Sequence, residues 1–590
     1  MTQRRDVQAR SHRIARPGRS RWWIAVAAAL CWAGRADATP DRCEWQQWGQ
    51  TARHTGHACA AGQDPARELA HVVIDPFAGQ ELREDGSLVA HYQVPLTDGD
   101  DVFVMQKAGR YVNCDPPGSG EPAPCGDDAR NTQIWTEKAM RWQHGQLVDR
   151  WQFVSDWKPA PNRFEAMFQP ALDGRWIYVP GAGGTVYRVR TRDGVAESRI
   201  QPFGPTIDPD TYVSGGITVD EDGSLYYNAI QFDPQDPAGR DVRGAWLVKV
   251  LRSGAILKAD YTTMIPAAPR ASDGCFLTFG RQSPRPPRPW PPPPQPDGSP
   301  TLPPTTPCLS QRPGLNVTPA IGADGTVFTV SRAHAVGAYT FVVALRPDLT
   351  VKWATSLRDK LSDGCGVLVP FVPSPALITC RQGATLGVDP FTNLPGAPEA
   401  EDMGSSSPTV LPDGGVLYGG ETVYNDAGGG HLMKLDRDGR FVAAYPWGWD
   451  TTAAVYPHDH TYSIVLKQNH YLDGVFLIDQ LDANLQLEWQ FQNTSTEVCE
   501  RLADGTIHCF DDGSGAHGFE WCVNAPAIDR DGTVFVNNED GFLYAIGQGG
   551  VEKARHFLSR TVAASYTPMA LDRRGRIYAM NNGELFVLGR

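Results

Sequence analysis

Two carboxylates and a group of histidines are the residues of this chain best suited to chemistry. Glu165, in Arg163-Phe164-Glu165, lies five residues before Pro170, and Glu520, in His517-Gly518-Phe519-Glu520-Trp521, lies six before Pro526. Two carboxylates that face one space bind a cation such as Ca²⁺ or share a proton in acid–base work. Tyr456-Pro457-His458-Asp459-His460 is the second group, with His470 ten residues beyond His460. On an extended strand His458 and His460 point to one side, a spacing that suits two imidazoles on one metal. Glu165, Glu520, His458 and His460 are therefore expected to approach one end of a common channel. There they would offer oxygen and nitrogen ligands to Ca²⁺, Mn²⁺ or Zn²⁺. The competing reading leaves the carboxylates bonded to strand ends and the histidines on solvated loops. G-x-S-x-G, P-loop and H-E-x-x-H patterns do not occur, which disfavours the chemistries those motifs carry.

A repeat must position these groups. Its pattern is a small or polar residue, Pro, two or three apolar residues, an acidic turn with Gly, then a β-branched or aromatic run. It runs as Gln169-Pro170-Ala171-Leu172-Asp173-Gly174 into Trp176–Val179, and as Thr318-Pro319-Ala320-Ile321 into Asp324-Gly325-Thr326-Val327-Phe328. It returns at Ser407-Pro408, Ala525-Pro526 and Thr567-Pro568, with weaker copies at Gly216-Ile217 and Ser374-Pro375. Asp-Gly supplies the positive φ of a tight hairpin turn, and β-branched and aromatic residues suit a pleated face. Pro at the strand start loses least by lacking an N–H. Third strands are expected at Phe341–Leu345, Leu432–Leu435, Phe542–Ile546 and Leu585–Leu588, and fourth strands at Val351–Trp353 and Leu487–Trp489. A four-stranded antiparallel sheet of this kind cannot bury both faces alone, and radial stacking does bury them. The expected fold is all-β: a single β-propeller over residues 39–590, of eight blades, with seven as the alternative. A first blade is expected around Leu88–Tyr111 and another around Thr461–Trp489. The last repeat ends after three strands, so an N-terminal segment near Leu69–Ile74 should close the ring.

These repeats resemble those of pyrroloquinoline-quinone-like β-propellers, the superfamily of quinoprotein alcohol dehydrogenases and of the outer-membrane assembly propeller. The opening Glu44-Trp45-Gln46-Gln47-Trp48-Gly49-Gln50-Thr51-Ala52-Arg53-His54-Thr55-Gly56 is similar to their W-x-x-x-G-x-x-x-x-H-T-G start. The enzymes among them hold their quinone against a vicinal cysteine pair, beside Glu, Asn and Asp around Ca²⁺. This chain has no adjacent cysteines. A divalent cation is thus a better match than pyrroloquinoline quinone.

Composition bounds the rest. Gly and Pro number 60 and 48 among 590 residues, a density of breakers that long helices do not tolerate. Residues 1–38 read as a cleaved signal peptide: seven Arg up to Arg21, an apolar core from Trp22 to Ala33, and Ala36-Asp37-Ala38. They carry +6, which leaves −19 on the remainder of a chain whose total is −13. That charge disfavours nucleic acid and anionic membranes, and no later apolar run is long enough to span a bilayer. Cys43 with Cys59, Cys114 with Cys125, Cys275 with Cys308, Cys365 with Cys380 and Cys499 with Cys509 form sequential couples. All five are expected to be disulfides in a periplasmic or extracellular protein. Cys522 is left over or competes with Cys509 for Cys499. Residues 283–307 hold 13 Pro and read as a disordered insertion tied at its ends by Cys275 and Cys308. The leading functional reading is a binding or scaffold module for a protein or saccharide ligand. The alternative is an enzyme in the channel, either a divergent quinoprotein oxidoreductase or a metal-assisted lyase or hydrolase on a saccharide-like substrate.

Overall fold

In the computed structural model the described residues are 43–84, 88–112, 131–160, 166–362, 364–367, 380–402, 404–422, 430–470, 475–502, 504–513, 515, 518–522, 524–560 and 568–590. They form an eight-bladed β-propeller of four-stranded antiparallel sheets. The innermost strands, in chain order, are Leu96–Asp98, Ala171–Asp173, Thr211–Val219, Ala320–Ile321, Thr409–Val410, Ala454–His458, Ala527–Ile528 and Ala570–Leu571. The first blade thus starts at Leu96 and extends to Ser155, well past the 88–111 segment expected from the sequence. Ring closure follows the expectation. Arg67–Val73 pairs antiparallel with Glu584–Gly589 and supplies the fourth strand of blade 8. The Ser374-Pro375 copy lies outside the described residues.

The polar residue before Pro170, Pro319 and Pro408, with Thr452 and Asn524 at the corresponding points of blades 6 and 7, has a physical role. Its side chain or carbonyl takes a backbone N–H of the neighbouring blade, so adjacent inner strands are stitched together. Gln169 Oε1 accepts from Val94 N at 2.8 Å, and Thr318 Oγ1 from Gly216 N at 2.9 Å. Ser407 Oγ accepts from Thr318 N at 3.0 Å, and Thr452 Oγ1 from Ser407 N at 3.1 Å. Asn524 O accepts from Thr452 N at 2.7 Å. Each bond satisfies a buried donor that would otherwise cost about 1–3 kcal/mol.

A second ring lies beside the first. Residues 45–63 run round the axis and meet the blades in chain order. Trp45 O accepts from Thr97 N, Gln46 O from Leu172 N, Ala52 O from Ile321 N, Arg53 O from Val410 N, Thr55 O from Val455 N and Gly56 O from Ile528 N, at 2.7–2.9 Å. Gln47 Oε1 accepts from Val219 N at 2.7 Å, and Gln63 N donates to Gly575 O of blade 8 at 2.7 Å. Trp45 and Trp48 are buried completely, at 0% and 1% exposure. The Trp48 indole donates to Thr452 Oγ1 at 3.0 Å. Burial lowers the His54 pKa to about 4, so the ring is neutral and Nδ1–H donates to Pro408 O at 2.9 Å. The Trp–Gly–His-Thr-Gly opening is therefore a belt that fills one end of the axis, clamped by the Cys43–Cys59 disulfide.

The two faces differ. Links between first and second strands, and between third and fourth, are short turns such as Asp98–Asp101, Gln143–Gln146 and His458–Thr461. The other face carries the long connections: Asp260 to Ala320, Ser356 to Thr409 and Gln492 to Ala527. One disulfide staples each, namely Cys275–Cys308, Cys365–Cys380 and Cys499–Cys509. Within the first, Trp290 of the Pro-rich segment is buried against Phe279 and Phe391 at ring distances of 5.8 and 5.6 Å.

Four of the five disulfides expected from the sequence are thus formed among the described residues. The fifth, between Cys114 and Cys125, is not among them. Cys114 lies outside the described residues, and so does Cys125. That pairing therefore stays an expectation, drawn from sequence spacing and the oxidising compartment. Cys522 carries a buried thiol outside the four disulfides, which resolves its competition with Cys509 in favour of Cys499–Cys509. With Cys114 and Cys125 joined, thiol titration of the denatured, unreduced exported protein should find one thiol per chain. Three thiols would refute the Cys114–Cys125 pair, and eleven would place the chain in a reducing compartment. Among the described residues no helix is long and apolar enough to cross a membrane.

Candidate functional site

Alternation along a short extended segment builds the site. Trp521 pairs with Asn538 in an isolated antiparallel bridge, so Glu520 and Cys522 leave the chain on the side opposite the indole. The indole packs into the core, edge-on to Tyr544 at 5.2 Å. Asn469 locks the segment from blade 6: its Oδ1 accepts from Trp521 N at 3.1 Å and its Nδ2 donates to Trp521 O at 3.2 Å. Asn538 Nδ2 donates to Phe519 O at 2.9 Å, and Glu539 N donates to Glu520 O at 3.0 Å. These bonds bring Glu539, from the loop between Val534–Asn537 and Phe542–Gly547, up to Glu520 and Cys522. One carboxylate oxygen from each glutamate and the Cys522 Sγ lie within 4.8 Å of one another.

Glu520 is 8% exposed, and its Oε2 is buried with no hydrogen-bond partner. Burial and the neighbouring Glu520 carboxylate push the Glu539 carboxyl up to about 10. Lys467 stands beside the cluster, two residues before Asn469 on the same face of its strand. Burial alone would lower its pKa, but Asp450, Glu520 and Cys522 outweigh burial and hold the ammonium above its ordinary value. Its Nζ bonds Asp450 Oδ2 at 3.0 Å. Asp450 Oδ1 in turn accepts from Ser405 N at 2.9 Å.

The structure separates the groups expected to share a site. Glu165 lies outside the described residues. Glu520 sits on the loop face, near the end of Thr461–His470 that carries Lys467 and Asn469. His458 and His460 lie at the other end of that strand, on the short-turn face. Six residues of strand between Thr461 and Lys467 span roughly 20 Å, far beyond one coordination shell. Nor do His458 and His460 share a strand side. Strand pairing ends at His458↔Thr461, and Asp459 and His460 form the two-residue turn at φ 44° and 64°. His458 is engaged locally. Ser463 Oγ donates to Glu488 Oε2 at 2.6 Å, so it accepts from His458 Nε2 at 2.7 Å. Of the expected ligands among the described residues, Glu520 alone is in the cluster. Cys522 and Glu539 were missed, although the Glu520-x-Cys522 alternation was a usable signal. Glu539 is separated from them by a whole strand and carried none.

A second feature of the loop face is a cavity of 230 Å³ lined by Phe276, Arg281, Arg332, Gly337, Arg358 and Glu399, among others. Burial and Glu401 push the Glu399 carboxyl up to about 8. Beneath it, Arg312 Nη1 donates to Asp402 Oδ1 at 2.7 Å, and Arg332 Nη1 donates to Asp402 Oδ2 at 3.3 Å.

In blade 1, burial pushes the Glu137 carboxyl up to about 8 against an ordinary value of 4.5. The folded chain keeps a proton there that the unfolded chain releases above about pH 4.5. This group's contribution to stability therefore falls as pH rises from there through 8. Glu137→Gln should raise the melting temperature at pH 8 and leave it nearly unchanged at pH 4.5. An equal shift at both pH values would refute the buried neutral carboxyl.

No protein-family model matches the chain, and no curated protein matches it. Among solved structures it is similar to BamB from Moraxella catarrhalis, at 11% identity and a TM-score of 0.36, over 89% of this chain and 99% of that one. It is also similar to the quinohemoprotein alcohol dehydrogenase from Comamonas testosteroni, at 10% identity and a TM-score of 0.48, over 94% of this chain and 82% of that one.

Proposed function

We propose that this chain is an exported binding or scaffold propeller that engages a protein or saccharide ligand through its loop-rich face. One observation carries this reading: the three longest connections emerge on one face, and each is stapled by its own disulfide. Loops held in this way lose less entropy on binding, so a fixed recognition surface binds more tightly than a mobile one of equal area. Rigid scaffolds commonly present their binding residues on such loops. The belt fills the opposite end of the axis, which leaves the loop face as the side from which a ligand reaches the buried polar groups. The disulfides fit an oxidising compartment, periplasmic or extracellular, and the basic, apolar N-terminus fits a cleaved signal.

A second reading, a metal-assisted lyase or hydrolase, is favoured by the Glu520–Cys522–Glu539 cluster on that same face. A test that separates the faces is thermal-shift screening of the exported chain against oligosaccharides and peptides. Hits would be repeated with Arg281→Ala and Arg358→Ala on the loop face and His460→Ala on the turn face. Ligand-induced stabilisation should fall in the arginine variants and persist in His460→Ala. Loss confined to His460→Ala would contradict the assignment of the binding face.

A further inference from the structure

We propose that Glu520, Cys522 and Glu539 form a binding site for a divalent transition-metal ion of the zinc type. The donor set selects the ion class. A thiolate favours borderline or soft cations over Mg²⁺ and Ca²⁺, and two carboxylates with one thiolate suit Zn²⁺ and its spectroscopic substitute Co²⁺. Geometry makes the site reachable. The three ligand atoms already lie within 4.8 Å of one another, so side-chain rotations of about 1 Å bring them to the ~3.5 Å edges of a tetrahedron with bonds of about 2.0–2.3 Å.

A second observation points to a ligand independently of the clustering. Glu520 is more than nine-tenths buried at 8% exposure, its carboxylate is aimed into the cluster, and its Oε2 has no hydrogen-bond partner. A buried carboxylate oxygen without a partner is costly unless something satisfies it, and a cation would. The backbone around it is fixed rather than adaptable. Trp521 is held by both amide atoms of Asn469, and Phe519 O by Asn538, an arrangement that orients the ligands from behind.

Lys467 does not block the site. Its ammonium is matched by Asp450 at 3.0 Å, so the nearest positive charge is already balanced. Three protein ligands leave a fourth tetrahedral position for water or a ligand group arriving from the loop face. That is the arrangement of an open zinc site, as opposed to a closed structural one. The site stands independently of what the loop face recognises.

The test uses the full exported chain, stripped with a chelator and titrated with Co²⁺. The expected result is one Co²⁺ per chain, with a thiolate-to-cobalt charge-transfer band in the near ultraviolet. Cys522→Ser should abolish the band while circular dichroism and the melting temperature of the metal-free protein stay near wild type. Glu520→Gln and Glu539→Gln should each weaken Co²⁺ binding at least about tenfold. The double substitution His458→Ala/His460→Ala should leave both band and affinity unchanged. A folded wild-type chain with no band, or a band that persists in Cys522→Ser, would overturn the proposal. If Cys522→Ser does not fold, Glu539→Gln decides by the same titration, and unchanged affinity there overturns the site.

Discussion

Replacing Asp402 with Asn lowers the unfolding free energy by about 3–5 kcal/mol, the cost of removing one partner from a buried ion pair. Asp402 lies where the chain enters blade 5 and holds two guanidiniums of blade 4. Side-chain exposure is 2% for Arg312, 9% for Arg332 and 8% for Asp402. Arg312 is also fixed from its other side, with Nε donating to His334 Nδ1 at 2.7 Å. Burial and the two arginines lower the His334 pKa to about 3, which keeps that acceptor neutral. An amide in place of the carboxylate takes away the charge that is bonded to both buried guanidiniums and leaves Arg332 only Glu401 and Glu399. The comparison is Asp531→Asn. That residue pairs with Arg530 at 3.2 Å at side-chain exposures of 57% and 62%, and the change should stay within about 0.5 kcal/mol. Urea titration at pH 7 measures both. Acid adds a second signature. Burial would raise the Asp402 pKa, but Arg312 and Arg332 outweigh it and hold the carboxyl well below its ordinary 3.8. Its contribution is therefore complete above pH 3.8 and is lost as pH falls through the depressed value. Equal losses in the two variants at pH 7 would show that the Arg312–Asp402–Arg332 cluster is not formed.

Gly575→Val should cost more than about 2 kcal/mol and loosen the belt. Gly575 has φ +77°, and a Cβ there would stand 2.0 Å from Ala61 O and 3.2 Å from Gln63 N. The left-handed backbone costs a side-chain-bearing residue about 1–2 kcal/mol, and a backbone clash cannot be relieved by a rotamer change. The collision breaks the joint at which the belt meets the last blade, where Gln63 N bonds Gly575 O. Gly254 separates the two effects. Its φ is +87° with nothing within 4 Å of the added Cβ, so Gly254→Ala should lose only the conformational part. Thermal melts of both variants check this, and similar losses would mean that the belt does not pack against blade 8.

Much of this architecture is legible in the residues, for physical reasons. A Pro followed by Asp-Gly and a β-branched run is a local signal, because turn chemistry and strand propensity act within a few residues. The inner hairpins at 170, 319, 408, 526 and 568 follow from it. The closing strand is legible because a blade with three strands leaves an unpaired edge. The function of the polar residue before Pro is harder to see, since Gln169 and Ser407 bond a neighbouring blade. The belt has the same obscurity: Trp45, His54 and Gly56 mark it, but its partners are scattered from Thr97 to Gly575. The candidate site shows where local reasoning stops. His458 and His460 look paired only if the strand continues through them, and it turns at Asp459. Glu539 joins Glu520 through one bridge between segments with no periodic relation.

Residues 45–63 form an inner ring that seals one end of the eight-bladed propeller, which leaves the other face open to the ligand proposed above. Hydrogen–deuterium exchange of the full chain tests this most directly. Amide exchange tracks local opening, and donors bonded inside a closed core open only with large-scale unfolding. The inner-strand amides that donate to the belt, those of Thr97, Leu172, Val219, Ile321, Val410, Val455 and Ile528, should exchange as slowly as the second strands at 101–109, 327–333 and 534–537. Exchange of those amides within seconds, while the second strands stay protected, would contradict the seal and with it the assignment of the open face.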